Sequence, residues 1–155
     1  MKIQLIFVGK TAFPEIDTAV ERYLARIRHY ASVDVRIIKP EKITKKIDEE
    51  TIRRKEGQRI LESLGRQSST LAWDERGRQL NSAGFADFLQ EIRLSGRNLS
   101  MVVGGPLGLS DEVRRKADHV LSLSKMTFPH DLARLLIVEQ LYRAFTILRG
   151  EPYHK

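Results

Sequence analysis

The chain has 155 residues, carries 27 lysines and arginines against 20 aspartates and glutamates for a net charge of +7, and contains no cysteine. Such a length suits one domain, able to bury roughly 70% of its unfolded surface without covalent staples. The missing cysteine excludes disulfides and thiolate metal sites, and no stretch reaches the ~20 apolar residues that span a bilayer. A content of 41% hydrophobic and 30% charged residues is that of a globular protein. The basic excess favours a polyanionic partner through phosphate contacts and counterion release, although solubility alone would also use it. The apolar start is too short for the core of a signal peptide and no small-residue cleavage site follows it, so the chain reads as cytoplasmic.

In chain order, residues 3–8 read as a first strand closed by Gly9. A helix follows over 14–30, with Ile16, Val20, Tyr23, Leu24 and Ile27 at three- and four-residue steps. A strand over 33–38 ends at Lys39-Pro40. A second helix over 47–64 is stopped by Gly65. Residues 71–73 read as a short third strand, followed by a turn at 74–77. Asn81-Ser82 caps a helix with Phe85, Phe88, Leu89 and Ile92 on one face. Next come a strand over 99–103, a short helix capped by Ser110, a strand over 119–123 and a long last helix over 130–148. Strands alternating with helices mean an α/β fold with a mostly parallel sheet and helices on both faces, here as a single domain over 1–155. The charge cluster over 39–59 mixes acids with bases and reads as a solvated helix face.

Ligands of open α/β sheets bind beyond the carboxyl ends of the strands. Three segments fall there: Trp73-Asp74, the loop Gly104-Gly105-Pro106-Leu107-Gly108, and Leu123-Ser124-Lys125-Met126-Thr127-Phe128. The glycine loop allows positive φ and close backbone approach. It matches neither a Walker loop nor Gly-x-Gly-x-x-Gly, which argues against nucleoside triphosphates and dinucleotides. A plain strand-to-helix turn would also explain it. The 123–128 loop mixes apolar residues with serine, threonine and lysine, and can hold an adenine by backbone hydrogen bonds between apolar walls. The last helix is apolar over too wide an arc for one packing stripe, so one face is left for a second copy of the chain. Arg134 and Arg143 stand among those apolar residues, where an arginine pairs with a carboxylate or reaches phosphate. The four histidines show no metal-ligand spacing. His130 begins the last helix beside the loop, and His154 lies in the tail.

Three motifs in this order carry a resemblance: Gly104-Gly105-Pro106-Leu107-Gly108-Leu109-Ser110; Leu121-Ser122-Leu123-Ser124-Lys125-Met126-Thr127-Phe128-Pro129-His130; and Leu141-Tyr142-Arg143-Ala144-Phe145 with the tail Pro152-Tyr153-His154. Over essentially its whole length the chain resembles the ribosomal large-subunit methyltransferase H family of the SPOUT superfamily. The resemblance implies a C-terminal trefoil knot, against the general rarity of knots, and a homodimer with the cofactor cleft at its interface. It implies transfer of a methyl group from S-adenosylmethionine to N3 of a pseudouridine in 23S rRNA within the assembled ribosome, with no metal. Carried over by position, the cofactor contacts are Trp73, Gly104, Gly105, Leu123, Ser124, Lys125, Met126, Thr127 and Phe128. Catalytic roles fall to His154, Arg143 and His130, and RNA contacts to Arg134, Tyr153 and Lys155. Two other readings stay open: a non-enzymatic ribosome- or RNA-binding protein, and a SPOUT methyltransferase with another RNA target.

Overall fold

The apolar run at the N-terminus becomes β1 (Lys2–Val8), which pairs in parallel with β2 (Ser32–Ile38) on one side and β4 (Asn98–Val103) on the other. Beyond β4 lies β3 (Ser68–Gln79), and β5 (His119–Ser122) forms the edge. The order is therefore β2-β1-β4-β3-β5, with all strands parallel. The computed structural model describes residues 1–65 and 67–154.

Among the described residues five helices connect and follow these strands: α1 (Pro14–Ile27), α2 (Glu49–Ser63), α3 (Ser82–Leu94), α4 (Asp111–Lys116) and α5 (His130–Leu148), with a 3₁₀ turn at Pro152–His154. Their starts are written in the sequence. Pro14 occupies the first turn of α1, where its missing N–H costs nothing. Asp48, Asn81 and Ser110 each accept a backbone N–H of the turn they cap, from Thr51, Gly84 and Val113. Strand alternation divides the core. Ile3, Leu5 and Phe7 of β1 pack with α1, α3 and α5, while Ile6 and Val8 pack with Ile60 of α2 and Val113 of α4. Both faces of the sheet are thus covered, as a parallel sheet requires. Among the described residues no helix is long and apolar enough to cross a membrane.

Two expectations shift. Helix α2 starts at Glu49, because Asp48 is its cap. The turn expected at 74–77 is an excursion inside a longer strand: Trp73 and Arg78 both stand opposite Leu121, so the residues between them bulge away from β5. Gly77 returns the chain to the sheet, and a Cβ there would lie 2.5 Å from the carbonyl carbon of Leu121. Only glycine admits that approach.

Candidate active site

The carboxyl ends of β3, β4 and β5 open into one cleft of about 1110 Å³. That exceeds the roughly 300–1,000 Å³ usual for a small-molecule site, so it has room for a cofactor and part of a second reactant. Its walls include Trp73 from β3, the whole glycine loop, and Leu123, Ser124, Met126, Thr127 and Phe128 from the segment after β5. His130 and Ala133 of α5 form one side. The three segments picked from the sequence therefore converge. Lys125 belongs to the same loop but does not line the cleft.

The glycine loop folds back on itself. The Gly108 N–H donates to the Gly105 carbonyl at 3.0 Å, and Gly108 has φ of +76°. A Cβ at Gly104 would lie 2.8 Å from the Gly108 carbonyl carbon, inside backbone that cannot swing aside. At Gly105 the added atom would meet the flexible Val8 side chain at 3.2 Å. The opposite loop is shaped by serines: the Ser122 hydroxyl donates to the Ser124 carbonyl at 2.7 Å, and the Met126 N–H donates to the Ser124 hydroxyl at 3.0 Å. Local side-chain bonds of this kind fix a turn without regular structure. Met126 and Phe128 remain 73% and 37% exposed at the mouth of this loop. Trp73 packs edge-on against Phe85 and also lines a smaller cavity of about 370 Å³. The floor of the cleft is braced by Arg114, which donates to Asp74 at 2.9 Å and to Asp111.

His130 borders the cleft with its Nε2 3.2 Å from Asp131 Oδ1. Burial, and then the nearby Arg134 cation, hold its pKa below the ordinary 6.5; Asp131 opposes them. The neutral imidazole is the folded form. As pH falls through 6.5, the unfolded chain binds a proton that folded His130 resists, so stability is complete above that window and declines below it. The wild-type urea midpoint is expected to fall on acidification from pH 7, and the His130→Asn midpoint to fall less. Equal slopes would show that His130 titrates alike in the folded and unfolded chain.

Arg134, expected on the RNA side, is fully buried within the chain. It donates to the Val8 carbonyl at 2.6 Å and the Thr11 hydroxyl at 3.3 Å, lies 3.3 Å from Asp131 Oδ1, and stacks over the Phe7 ring. Asp131, also buried, accepts the Ala12 N–H at 2.7 Å. The pair ties the segment after β1 to the first turn of α5, and phosphate cannot reach the guanidinium without unpacking the core.

The remaining expected residues gather at the other end of α5. Arg143 donates twice to Glu139 Oε1, at 3.0 and 2.6 Å, and the Tyr153 hydroxyl donates to the same oxygen at 3.1 Å. The Tyr153 pKa is pushed up, first by burial and then by hydrogen bonding to Tyr23, so the phenol stays protonated and serves as a donor. His154 is exposed beside it; Lys155 lies outside the described residues. Arg143 lies thirteen positions after His130 on the helix, a rise of roughly 20 Å, and none of Arg143, Tyr153 and His154 lines the cleft of its own chain. The carboxylates Asp131 and Glu139 were not singled out in the sequence. The signal was there, since each sits three or four residues before an arginine on a helix otherwise apolar.

A family model described as "Predicted SPOUT methyltransferase" matches residues 1–154. Among similar proteins is the ribosomal RNA large subunit methyltransferase H of Syntrophobacter fumaroxidans, 50% identical with both chains fully covered. The protein of the same name from Christiangramia forsetii is 43% identical, with 99% of each chain covered. Among solved structures, the tRNA (m1G37) methyltransferase of Aquifex aeolicus superposes with a TM-score of 0.58 at 14% identity, covering 99% of this chain and 74% of the other, a likeness of fold.

Proposed function

The chain belongs to the SPOUT methyltransferase family, in the group of the ribosomal RNA large subunit methyltransferase H proteins, and from that premise we propose that it moves a methyl group from S-adenosylmethionine to N3 of a pseudouridine in 23S rRNA of the assembled ribosome, in the cytoplasm. The observation that carries this reading is the folded glycine loop, which leaves no room for a side chain at Gly104 and faces the serine-shaped loop across a cleft wide enough for two reactants. Trp73, Gly104 and Gly105 form one wall for the adenosine, and the 123–128 loop supplies backbone hydrogen bonds from the other.

The sulfonium of S-adenosylmethionine supplies a methyl group that is already electrophilic, so the protein has two tasks. It must hold an imide nitrogen in line with that methyl, a positioning effect that can supply roughly 7–11 kcal/mol. It must also accept the N3 proton, which contributes on the order of 10²–10⁴-fold in rate. His130, neutral near pH 7 and at the cleft wall, and His154 in the tail are the two candidate acceptors. Arg143 stabilises negative charge growing on the base carbonyls once Glu139 yields it.

The separation of His130 from Arg143, Tyr153 and His154 favours a homodimer in which the tail of one chain completes the cleft of the other. The exposed Met126, Phe128 and Leu132 give such a contact its apolar patch. We place the whole chain in one domain with a C-terminal trefoil knot; the return of α5 from the edge strand to pack on α1 and α3 is consistent with it. The test is methyl transfer from labelled S-adenosylmethionine to large ribosomal particles, to protein-free 23S rRNA and to transfer RNA, followed by nucleoside analysis. N3-methylpseudouridine is expected on particles, with far less on free RNA. Equal rates on both substrates would remove the requirement for the ribosome, and label in transfer RNA alone would move the target.

A further inference from the structure

The aromatic cluster at the carboxyl end of α5 carries a feature that the tail residues do not account for. Tyr142 is its hub. Its ring meets Tyr153 at 4.7 Å, Tyr23 at 5.9 Å and Tyr30 at 6.0 Å, and Tyr30 stacks on Phe145 at 5.6 Å. Arginines cover these rings from outside. Arg26 lies 5.8 Å from the centroid of Tyr23 and 5.5 Å from that of Tyr142, and Arg149 lies 5.6 Å from that of Tyr30. Arg143 stands 4.8 Å from Tyr153 but is taken up by Glu139.

Both Arg26 and Arg149 are exposed, as is Arg22 one turn before Arg26. Among the described residues no carboxylate forms an ion pair with any of the three. The nearby acids are engaged otherwise. Glu139 serves Arg143, Tyr153 and Gln140, and Glu151 accepts the Tyr30 hydroxyl, whose pKa is pushed up to about 12, chiefly by that bond. A guanidinium resting on an aromatic face keeps its donor edges free and loses little side-chain entropy when it binds. Two pre-positioned, unneutralised guanidinium groups beside a tail fit a phosphodiester backbone better than a base, because the ring faces are already covered.

We propose that Arg26 and Arg149, held on the Tyr23–Tyr30–Tyr142 cluster, form a phosphate-binding patch that grips the backbone of the substrate RNA beside the tail, next to the cleft which that tail completes in the homodimer. This rests on the reading of the protein as an rRNA methyltransferase and adds to it a surface shared by α1 and the carboxyl end of α5, outside the cleft and the tail. The patch sets affinity for the particle and leaves cofactor binding alone.

The experiment uses the full chain and large ribosomal particles, comparing wild type with R26E/R149E and with R26Q/R149Q, which keeps the aliphatic stems on the rings. Thermal melting and S-adenosylmethionine titration run alongside. Particle KM is expected to rise on the order of tenfold per arginine in the charge-reversed pair and by less in the neutral pair. The slope of log affinity against log salt should flatten by roughly 0.7–0.9 for each lost phosphate contact. Melting temperature and cofactor affinity of the neutral pair should match wild type. Unchanged KM and salt slope in both variants overturn the patch, as does a KM rise that merely follows a lowered melting temperature. A wild type that binds the cofactor yet methylates no particle would instead overturn the rRNA reading, a result separate from either.

Discussion

Replacing Gly104 with valine is expected to weaken S-adenosylmethionine binding by roughly 10–100-fold while the protein stays folded. The first added atom alone would sit 2.8 Å from the Gly108 carbonyl carbon, and the obstacle is backbone with positive φ at Gly108, not a side chain that can rotate. Relieving such an overlap costs about 1–3 kcal/mol, and each 1.4 kcal/mol is about tenfold in affinity. The strain falls on a loop at the cleft, so most of it is read as lost binding. Gly105→Ala is the contrast. Its Cβ would meet the side chain of Val8 at 3.2 Å, which can yield, and its binding should fall far less. Isothermal titration of both variants with melting curves checks the pair; equal affinities for G104V and wild type would show that the cofactor does not touch the glycine loop.

Arg134→Met should be the most destabilising single change, by about 3–5 kcal/mol, because it leaves the Asp131 carboxylate buried without its cation. For a chain of this size that corresponds to a drop of roughly 6–20 °C in melting temperature. Arg134 has no exposure, and it also satisfies the Val8 carbonyl and the Thr11 hydroxyl. The double variant Asp131→Leu with Arg134→Met removes both charges and should recover part of the loss, although the Ala12 N–H then loses its acceptor. Urea unfolding of the two variants measures the difference. A loss below about 1 kcal/mol for R134M would mean that water reaches the pair, and that Arg134 is available to RNA after all.

What the sequence conveyed well was whatever depends on local chemistry. The caps Asn81 and Ser110, the apolar strand runs and the three loops at the strand ends all sit where their residue types place them. What it conveyed poorly depends on long-range approach. Residues 74–77 carry turn composition, Asp-Glu-Arg-Gly, and only the pairing of Leu121 with both Trp73 and Arg78 turns them into a bulge inside a strand. The resemblance puts Arg134 on the RNA side, whereas the residues alone leave a lone cation in an apolar helix two fates, a carboxylate or a phosphate, and Asp131 three residues earlier supplies the carboxylate. The candidate site divides in the same way. The half formed by Trp73, the glycine loop and the 123–128 loop comes together within one chain, whereas Arg143, Tyr153 and His154 lie a helix length away, a distance that motif order does not express.

Calorimetric titration of the purified wild-type chain most directly tests whether the cleft between the glycine loop and the 123–128 loop holds S-adenosylmethionine. Saturable binding at one S-adenosylmethionine per chain, lost or strongly weakened in Gly104→Val, is the result expected. No heat of binding in the wild type, or equal binding in the variant, would contradict it.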